Sequence, residues 1–245
     1  MPIYEIQLTI SPSQETRIEL KEPMSYRSPS GVLATINTDE KFEIIVVMQI
    51  EASDDEQASE LAEIELRRLS DLLSWNYDMG IAHSGISSIT NRDGTGSINT
   101  VIYQQAAICD AIQVTKADSV ENINVLSQKL EQNLDINHEG VPLDEALYMW
   151  REALKEQSKG LRFFLLFRIL ERMNGGKRIY ADMWIREKEQ DTPLTPSNGQ
   201  EVTIYTFLRD NVHAKTAQFP YKEINEYLPK LQHLAKTAIK ERFNC

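Results

Sequence analysis

The chain has 245 residues, of which 41% are hydrophobic and 26% are charged, and its formal net charge is −11. This length suffices for one large domain or two ordinary ones with a proper core, and the composition is that of a globular protein. No apolar run approaches the ~20 residues of a membrane helix, no secretory signal pattern opens the chain, and two cysteines make no disulfide framework. We therefore expect a cytoplasmic protein without a membrane partner.

The acidic balance bears on nucleic acids as partners. Affinity for nucleic acid comes largely from phosphate contacts and counterion release, so that binders usually carry a basic footprint. A net charge of −11 counts against stable nucleic-acid binding. It leaves open a local basic groove, and a nuclease needs turnover more than tight holding.

Strand patterns fill the chain from residue 1 to about residue 115. Ile6, Leu8 and Ile10 alternate with polar residues, and residues 17–21 alternate likewise. This period of two predicts strands with one buried face. Residues 42–50 are β-branched and nearly continuous in apolar character, which predicts a central strand. Two further strand-like runs are residues 98–103 and 108–114.

A helix is predicted directly after the central strand. Ser53, with Glu56 three residues later, is a helix-start signal. Apolar residues then follow at helical spacing to about Trp75, and Arg67 and Arg68 come late in the helix, where the macrodipole favours cations. We expect the apolar stripe of this helix to cover one face of the sheet.

Residues 91–97, Asn-Arg-Asp-Gly-Thr-Gly-Ser, lie between two strand-like runs. The Asp-Gly pair is typical of a hairpin turn. The two glycines could alternatively belong to a phosphate-binding loop, but no P-loop lysine accompanies them and no helix opens directly after them. We interpret the segment as a hairpin turn.

The pattern beyond residue 117 is helical. Helices are predicted over residues 120–134, 143–157 and 161–173, and the last of these is the most apolar stretch of the chain. A helix that is apolar nearly all round belongs in the middle of a bundle. One strip of it must nevertheless reach a polar region. The residues that break its apolar surface are Arg162, Arg168, Glu171 and Arg172.

The next segment has no clear period. Residues 174–176, Asn-Gly-Gly, end the apolar helix, because glycine takes the left-handed cap conformation freely. Residues 177–200 are interpreted as an irregular loop, and loops of this length are often functional lids or disordered. A final amphipathic helix is predicted over residues 221–242.

Residues 205–215 read Tyr-Thr-Phe-Leu-Arg-Asp-Asn-Val-His-Ala-Lys, with Arg209 and His213 four positions apart. On a helix such residues lie on one face, while the apolar Phe207, Leu208 and Val212 can face inward. Arginine offers planar, permanently charged donors suited to phosphate, and histidine titrates near neutrality. Together the pair could recognise a phosphodiester and move its protons.

Residues 208–213, late in a helical C-terminal half, resemble the signature of HEPN domains (higher eukaryotes and prokaryotes nucleotide-binding). That signature is an arginine followed by Asn, Asp or His, with a histidine a few residues on. The family's usual gap is four to six residues, whereas three residues separate Arg209 from His213 here. The resemblance covers about the last half of the chain. It implies a helical bundle and either a metal-independent endoribonuclease or a non-catalytic binding module, since the family contains both.

For a catalytic member, the resemblance implies that an RNA 2′-hydroxyl attacks the adjacent phosphorus. His213 would move the proton, Arg209 would stabilise the developing charge, and Asp210 would orient one of them. No cofactor is implied, and no histidine or cysteine has metal-ligand spacing. Because one histidine cannot easily serve as both base and acid, the family's homodimer with a composite site is implied as well. The basic residues expected to line an RNA groove are Arg162, Arg168 and Lys215.

We therefore predict an α+β protein with a β-rich domain over residues 1–117 and an all-α HEPN-like bundle over residues 118–245. The leading function is RNA cleavage by a homodimer, in a defence or toxin-like setting. The alternative is a non-catalytic binding and dimerisation module whose N-terminal domain senses a ligand or a regulatory protein. The position of Arg209 and His213 discriminates between them. A shared cleft supports the enzyme, and burial in an intrachain salt bridge supports the binding module.

Overall fold

The structure, a computed structural model, contains two compact units, Met1–Asp135 and Ile136–Cys245. Its mixture of strands and helices confirms the α+β class. Residue 118 lies outside the described residues, so the predicted domain boundary between residues 117 and 118 stays a prediction. The residues that the structure describes are 1–13, 16–20, 22–28, 30–92, 99–100, 113–117, 127–128, 141–197, 199–213 and 220–244.

The first unit is organised around a six-stranded sheet, in which every pairing is antiparallel. Its strands are β1 (Ile3–Pro12), β3 (Met24–Arg27), β4 (Leu33–Thr38), β5 (Ile44–Glu51), β6 (Ile81–Asn91) and β7 (Asn99–Thr100). They lie in the order β3-β4-β5-β1-β6-β7. The strand predicted at residues 42–50 is β5, and its place between β4 and β1 confirms that it is central.

Alternation along the strands creates the core of this unit. In β1 the residues Tyr4, Ile6, Leu8 and Ile10 are buried, and Ile6 lies opposite the buried Met48 of β5. Burying one such side chain stabilises the fold by about 1.5–3 kcal/mol. Helix α1 (Asp55–Tyr77) contacts β1, β5 and β6, which confirms that the predicted helix packs on the sheet.

The N-cap of helix α1 lies one residue later than predicted. The N-cap is Asp54, whose carboxylate accepts a hydrogen bond from the Gln57 amide at 2.9 Å. The Gln57 side chain in turn accepts from the Ser53 amide at 2.6 Å. This reciprocal arrangement is close to a capping box. The predicted start signal was therefore right in kind, but Asp54 and Gln57 take the roles expected of Ser53 and Glu56.

Two shorter strands pair outside the main sheet. They are β2 (Thr16–Leu20) and β8 (Gln113–Ala117), which run parallel. Strand β8 overlaps the end of the strand predicted at residues 108–114, of which residues 108–112 lie outside the described residues. Residues 93–97 of the predicted hairpin turn also lie outside them. The antiparallel pairing of β6 with β7 is the pairing that such a hairpin requires. The sequence did not predict β3 or β4, which are short.

The second unit is a helical bundle with a β-hairpin. Its described elements are α2 (Leu143–Lys155), α3 (Lys159–Met173), α4 (Arg178–Lys188), β9 (Leu194–Ser197), β10 (Gln200–Thr203), α5 (Ile204–His213) and α6 (Tyr221–Phe243). Helix α3 contacts each of the other four helices, which confirms that the most apolar stretch lies in the middle. In the part of the chain that the structure describes, no helix has the length and apolar content to cross a membrane.

The prediction of an all-α second domain with an irregular loop at residues 177–200 is wrong. Helix α4 and the antiparallel hairpin of β9 and β10 occupy that segment. The hydrophobic period failed because α4 buries Asp182 and exposes Ile179 and Met183, the reverse of the usual pattern. In β9, Pro196 removes a backbone donor and weakens the strand signal.

A two-glycine turn connects α3 to α4. Gly175 and Gly176 have φ angles of +87° and +77°, and the Gly176 amide donates to the Glu171 carbonyl at 2.7 Å. This arrangement confirms the predicted glycine cap, because residues other than glycine rarely adopt such φ angles. A Cβ atom at position 175 would also lie 3.3 Å from the Tyr180 ring.

Gly175→Ala is expected to destabilise the protein by about 1 kcal/mol or more, because it combines an unfavourable φ with crowding against Tyr180. Gly176→Ala is the matched control, since its φ is also positive but a Cβ there meets nothing within 4 Å. Urea unfolding of both variants measures the difference. Equal loss in both variants would show that the Tyr180 contact contributes nothing.

Candidate functional site

Helix α5 presents the predicted site residues from a fixed base. Tyr205 and Leu208 are fully buried and anchor the helix on its inner side. Leu208 therefore faces inward as predicted, whereas Phe207 and Val212 are only partly buried. Arg209 and Asp210 lie on the side that remains partly accessible. Because Arg209 lies one turn beyond Tyr205, it lies at the margin of the buried side.

The buried carboxylate of Asp182 holds the start of α5. Its Oδ1 accepts three hydrogen bonds, from the Thr203 amide at 2.8 Å, the Thr203 hydroxyl at 2.8 Å and the Thr206 hydroxyl at 2.6 Å. Its Oδ2 accepts from Arg186 Nε at 2.9 Å. The Thr206 amide also donates to the Thr203 hydroxyl, in the manner of an N-cap. Asp182 therefore joins α4, β10 and α5.

Two opposing effects set the charge state of Asp182. Burial by itself raises the pKa of this carboxyl group, because it disfavours the charged form. The hydrogen bonds from Thr206 and Thr203 and the positive charge of Arg186 outweigh burial, and the pKa is lower than its ordinary value. Asp182 is consequently a stable anion at neutral pH.

Arg209 is held in an intrachain ion pair. Its Nη2 donates to Oε1 of Glu171 at 3.0 Å, and Arg168 Nη1 donates to the other oxygen of that carboxylate at 2.6 Å. Glu171 lies on α3 and its side chain is 2% exposed, while that of Arg209 is 19% exposed. The Arg209 guanidinium also lies over the Phe164 ring, 5.5 Å from its centroid. A buried carboxylate thus has two arginine partners.

Asp210 extends the ion pairs to α4. Its carboxylate accepts from Arg209 Nη1 at 3.0 Å and also from Arg178, the first residue of α4. Arg168, Glu171, Arg209, Asp210 and Arg178 form one cluster, which we call the arginine cluster. Its three arginines and two carboxylates sum to a charge of +1, against −11 for the whole chain. The cluster connects α3, α4 and α5.

Hydrogen bonding limits what Arg209 can do chemically. Both of its terminal nitrogens already donate to carboxylates, and its Nε is buried without a hydrogen-bond partner among the described residues. Bidentate recognition of a phosphate needs two parallel N–H donors in a fork that is free to face the ligand. In this conformation the best-directed donors of Arg209 serve the protein itself.

The structure brings together some of the predicted site residues. Arg168, Arg209 and Asp210 belong to the arginine cluster. Arg162 lies apart from it in the first turn of α3, where its Nε donates to the Glu156 carbonyl at 2.9 Å. His213 ends α5, but its side chain lies outside the described residues, as does Lys215. The expected RNA groove and composite site therefore stay predictions.

Two members of the cluster were not among the predicted site residues. Glu171 carried a signal, because it is an acidic residue in the most apolar helix of the chain and needed a cation. The sequence gives no such indication for Arg178, because the pattern of its segment predicts a loop and its distance from Asp210 depends on the two-glycine turn. In the described residues, no cluster of His, Cys, Asp and Glu side chains could hold a metal ion.

Comparison of the chain with protein-family models, with curated proteins and with solved structures finds no match. Function is therefore inferred from the residues and contacts of this chain.

Asp182→Asn is expected to lower the stability at pH 7 by about 1–3 kcal/mol, because it weakens a buried set of hydrogen bonds. A lowered pKa stabilises the fold above the unfolded-state pKa of about 3.9 and loses that contribution as the pH falls through the folded-state pKa. The gap between wild type and variant should therefore narrow below about pH 4. Urea unfolding between pH 3 and 7 measures it, with the exposed Asp191→Asn as control. A gap independent of pH would contradict the assignment.

Arg209→Ala is expected to destabilise the protein by about 2–4 kcal/mol, because it leaves the buried Glu171 with Arg168 alone. Arg209→Lys should also lose stability, since a lysine cannot bridge Glu171 and Asp210 with a planar fork. Arg172→Ala is the control, because its ion pair with Glu145 is exposed and contributes at most about 1 kcal/mol. Thermal unfolding measures all three variants. An Arg209→Ala protein more stable than wild type would indicate an arginine held for function at a cost in stability.

Proposed function

We propose that the second unit is a non-catalytic, HEPN-like binding and dimerisation module and that the first unit senses a ligand or a protein. The observation that carries this proposal is the intrachain ion pair between Arg209 and the buried Glu171. An Arg209 side chain held in an ion pair within its own chain is what we expect of a binding module, whereas an enzyme requires it in a shared cleft. The HEPN-like identity itself rests on the signature of residues 208–213.

Energetics favour a structural role for Arg209. To engage an RNA phosphate through its bonded donors, Arg209 would have to leave Glu171 or Asp210. Leaving Glu171 with one partner in a buried position costs several kcal/mol, since an incompletely compensated buried charge is strongly unfavourable. A catalytic arginine gains most when its donors already point at the place where charge develops. The terminal nitrogens of Arg209 point instead at the carboxylates of Glu171 and Asp210.

The first unit offers a surface for the proposed sensing role. One face of its sheet packs against α1, and the alternate residues of β1 on the other face include the partly exposed Glu5 and Thr9 and the exposed Gln7. The Thr9 hydroxyl lies 2.6 Å from the Ser87 hydroxyl across the β1–β6 pair. These polar side chains lie beside the partly buried Ile45 and Val47 of β5, and they offer hydrogen-bond donors and acceptors to a ligand or to a peptide.

Metal-independent RNA cleavage is the second candidate. It is favoured by the net positive charge of the arginine cluster in an acidic chain, and by His213 lying one turn beyond Arg209 on the same helix. In this mechanism the 2′-hydroxyl attacks the neighbouring phosphorus, a cyclic phosphate forms, and the 5′-oxygen leaves. His213 would carry the proton, while Arg168 or Arg178 could offer phosphate donors that Arg209 lacks.

RNA cleavage distinguishes the two candidates. For the binding module we expect no difference between wild type and His213→Ala when each is incubated with total RNA in EDTA. The readout is the fraction of intact RNA, together with a test for cyclic phosphate ends. Cleavage by wild type in EDTA that His213→Ala abolishes would overturn the non-catalytic proposal and establish the ribonuclease. Cleavage lost in EDTA would instead indicate a metal-dependent activity and contradict both.

A further inference from the structure

Helix α4 carries an apolar strip on the side that faces solvent. Ile179, Tyr180 and Met183 are 54%, 46% and 53% exposed, and we call these three residues the α4 strip. At 100° per residue they lie within about a third of the helix circumference. The buried residues Ala181, Asp182 and Ile185 lie on the opposite side. Three large apolar side chains on one exposed helix face are more than the scattered exposure of an ordinary surface.

The strip is held in place by its neighbours. The Tyr180 ring lies against the Gly175 turn, where an added Cβ would approach it to 3.3 Å. Lys177 Nζ lies over the same ring, 5.6 Å from its centroid. The position of the tyrosine is thus set before any partner arrives, which lowers the entropy cost of covering it.

Exposed charges of opposite sign lie at the two ends of α4. Lys177 is exposed just before its first turn, and Glu187 is exposed in its last turn. The last turn also contains Arg186 and Lys188, but both pair with carboxylates of the same chain. A helix face with a cation at one end, an apolar centre and an anion at the other end is complementary to itself when a second copy runs antiparallel. Antiparallel packing also sets opposite ends of the two helix dipoles side by side.

The geometry points to the α4 strip as the surface through which a second copy of this chain binds, with the two α4 helices packed antiparallel about a two-fold axis. In this isologous contact Ile179 of one copy lies against Met183 of the other, and the same contact occurs twice. At a rise of 1.5 Å per residue, Lys177 of each copy comes within side-chain reach of Glu187 of the other. This inference rests on the dimerisation half of the proposed function and names its interface.

The apolar area of the α4 strip limits the affinity of the dimer. Three side chains, each of at most about 250 Å² and about half exposed, present less than about 400 Å². Stable interfaces bury about 800 Å² per partner. The dimer is therefore of the weak class and dissociates on dilution within the micromolar range. Arg178, in the first turn of α4, binds Asp210, so the contact also brings the two arginine clusters towards one axis.

Sedimentation equilibrium over a concentration series tests the interface. Met183→Glu places two carboxylates against the apolar centre, and we expect the dimer dissociation constant to rise roughly 30-fold or more. Ile64→Glu is the matched control, because Ile64 is equally exposed at 53% but lies on α1. Tyr148→Glu is a control within the second unit, with the same 46% exposure as Tyr180. Neither control should change the dissociation constant.

Charge exchange tests the antiparallel arrangement. Lys177→Glu alone sets two pairs of glutamates opposite each other and should weaken the dimer roughly tenfold. The double variant Lys177→Glu with Glu187→Lys restores both pairs, and its dissociation constant should fall roughly tenfold below that of Lys177→Glu alone. Both variants lose the Lys177 contact with the Tyr180 ring, so equal dissociation constants for the two would overturn the antiparallel pairing.

The remaining outcomes separate this inference from the proposed function. A wild-type dimer that Met183→Glu leaves unchanged would overturn the α4 interface and leave dimerisation standing. A wild-type protein that stays monomeric throughout the series would overturn both the interface and the dimerisation half of the proposed function. RNA cleavage is a separate readout, so a ribonuclease result would leave the α4 interface to be decided by sedimentation alone.

Discussion

The second unit depends on the charge of one buried carboxylate. Glu171 sits on the central helix of the bundle with its side chain 2% exposed, where an unpaired anion would cost several kcal/mol. Arg168 and Arg209 compensate it, one from the same helix and one from α5. Arg209 also pairs with Asp210, and Asp210 pairs with Arg178. A chain of ion pairs therefore connects Glu171 to α4. The orientation of three helices is thereby coupled.

Helix α5 is consequently fixed at its start and in its middle by acids of other helices. Asp182 of α4 accepts from Thr203 and Thr206 at the start of α5, and Glu171 of α3 accepts from Arg209 in its middle. A binding module needs only that α5 is held in place. An enzyme also needs the donors of Arg209 to point at the substrate, and they point at Glu171 and Asp210 instead. This difference in direction is why the binding module is the better-supported proposal.

The sequence predicted those features that depend on local pattern. The alternation of Ile6, Leu8 and Ile10 yields a strand, and the apolar run at residues 161–173 yields the central helix. The sequence pattern also indicates that Glu171, in an apolar helix, needs a cation. The pattern does not identify the ion-pair partners, because the contacts of Glu171 with Arg209 and of Asp210 with Arg178 join residues 38 and 32 positions apart. Such pairs are determined by how helices pack, which local periodicity does not encode.

The burial of Asp182 explains both why the sequence pattern does not predict helix α4 and why the α4 strip is exposed. A hydrophobic period places Ile179 and Met183 inside, yet the buried side holds Asp182, whose hydrogen bonds to Thr203 and Thr206 make that burial favourable. The helix therefore cannot turn its apolar side chains inward without leaving the Asp182 carboxylate unpaired. An isolated chain must then leave apolar area in water, at about 25 cal/mol per Å². In the proposed dimer, a second copy on the α4 strip would remove part of that area while Asp182 keeps its partners.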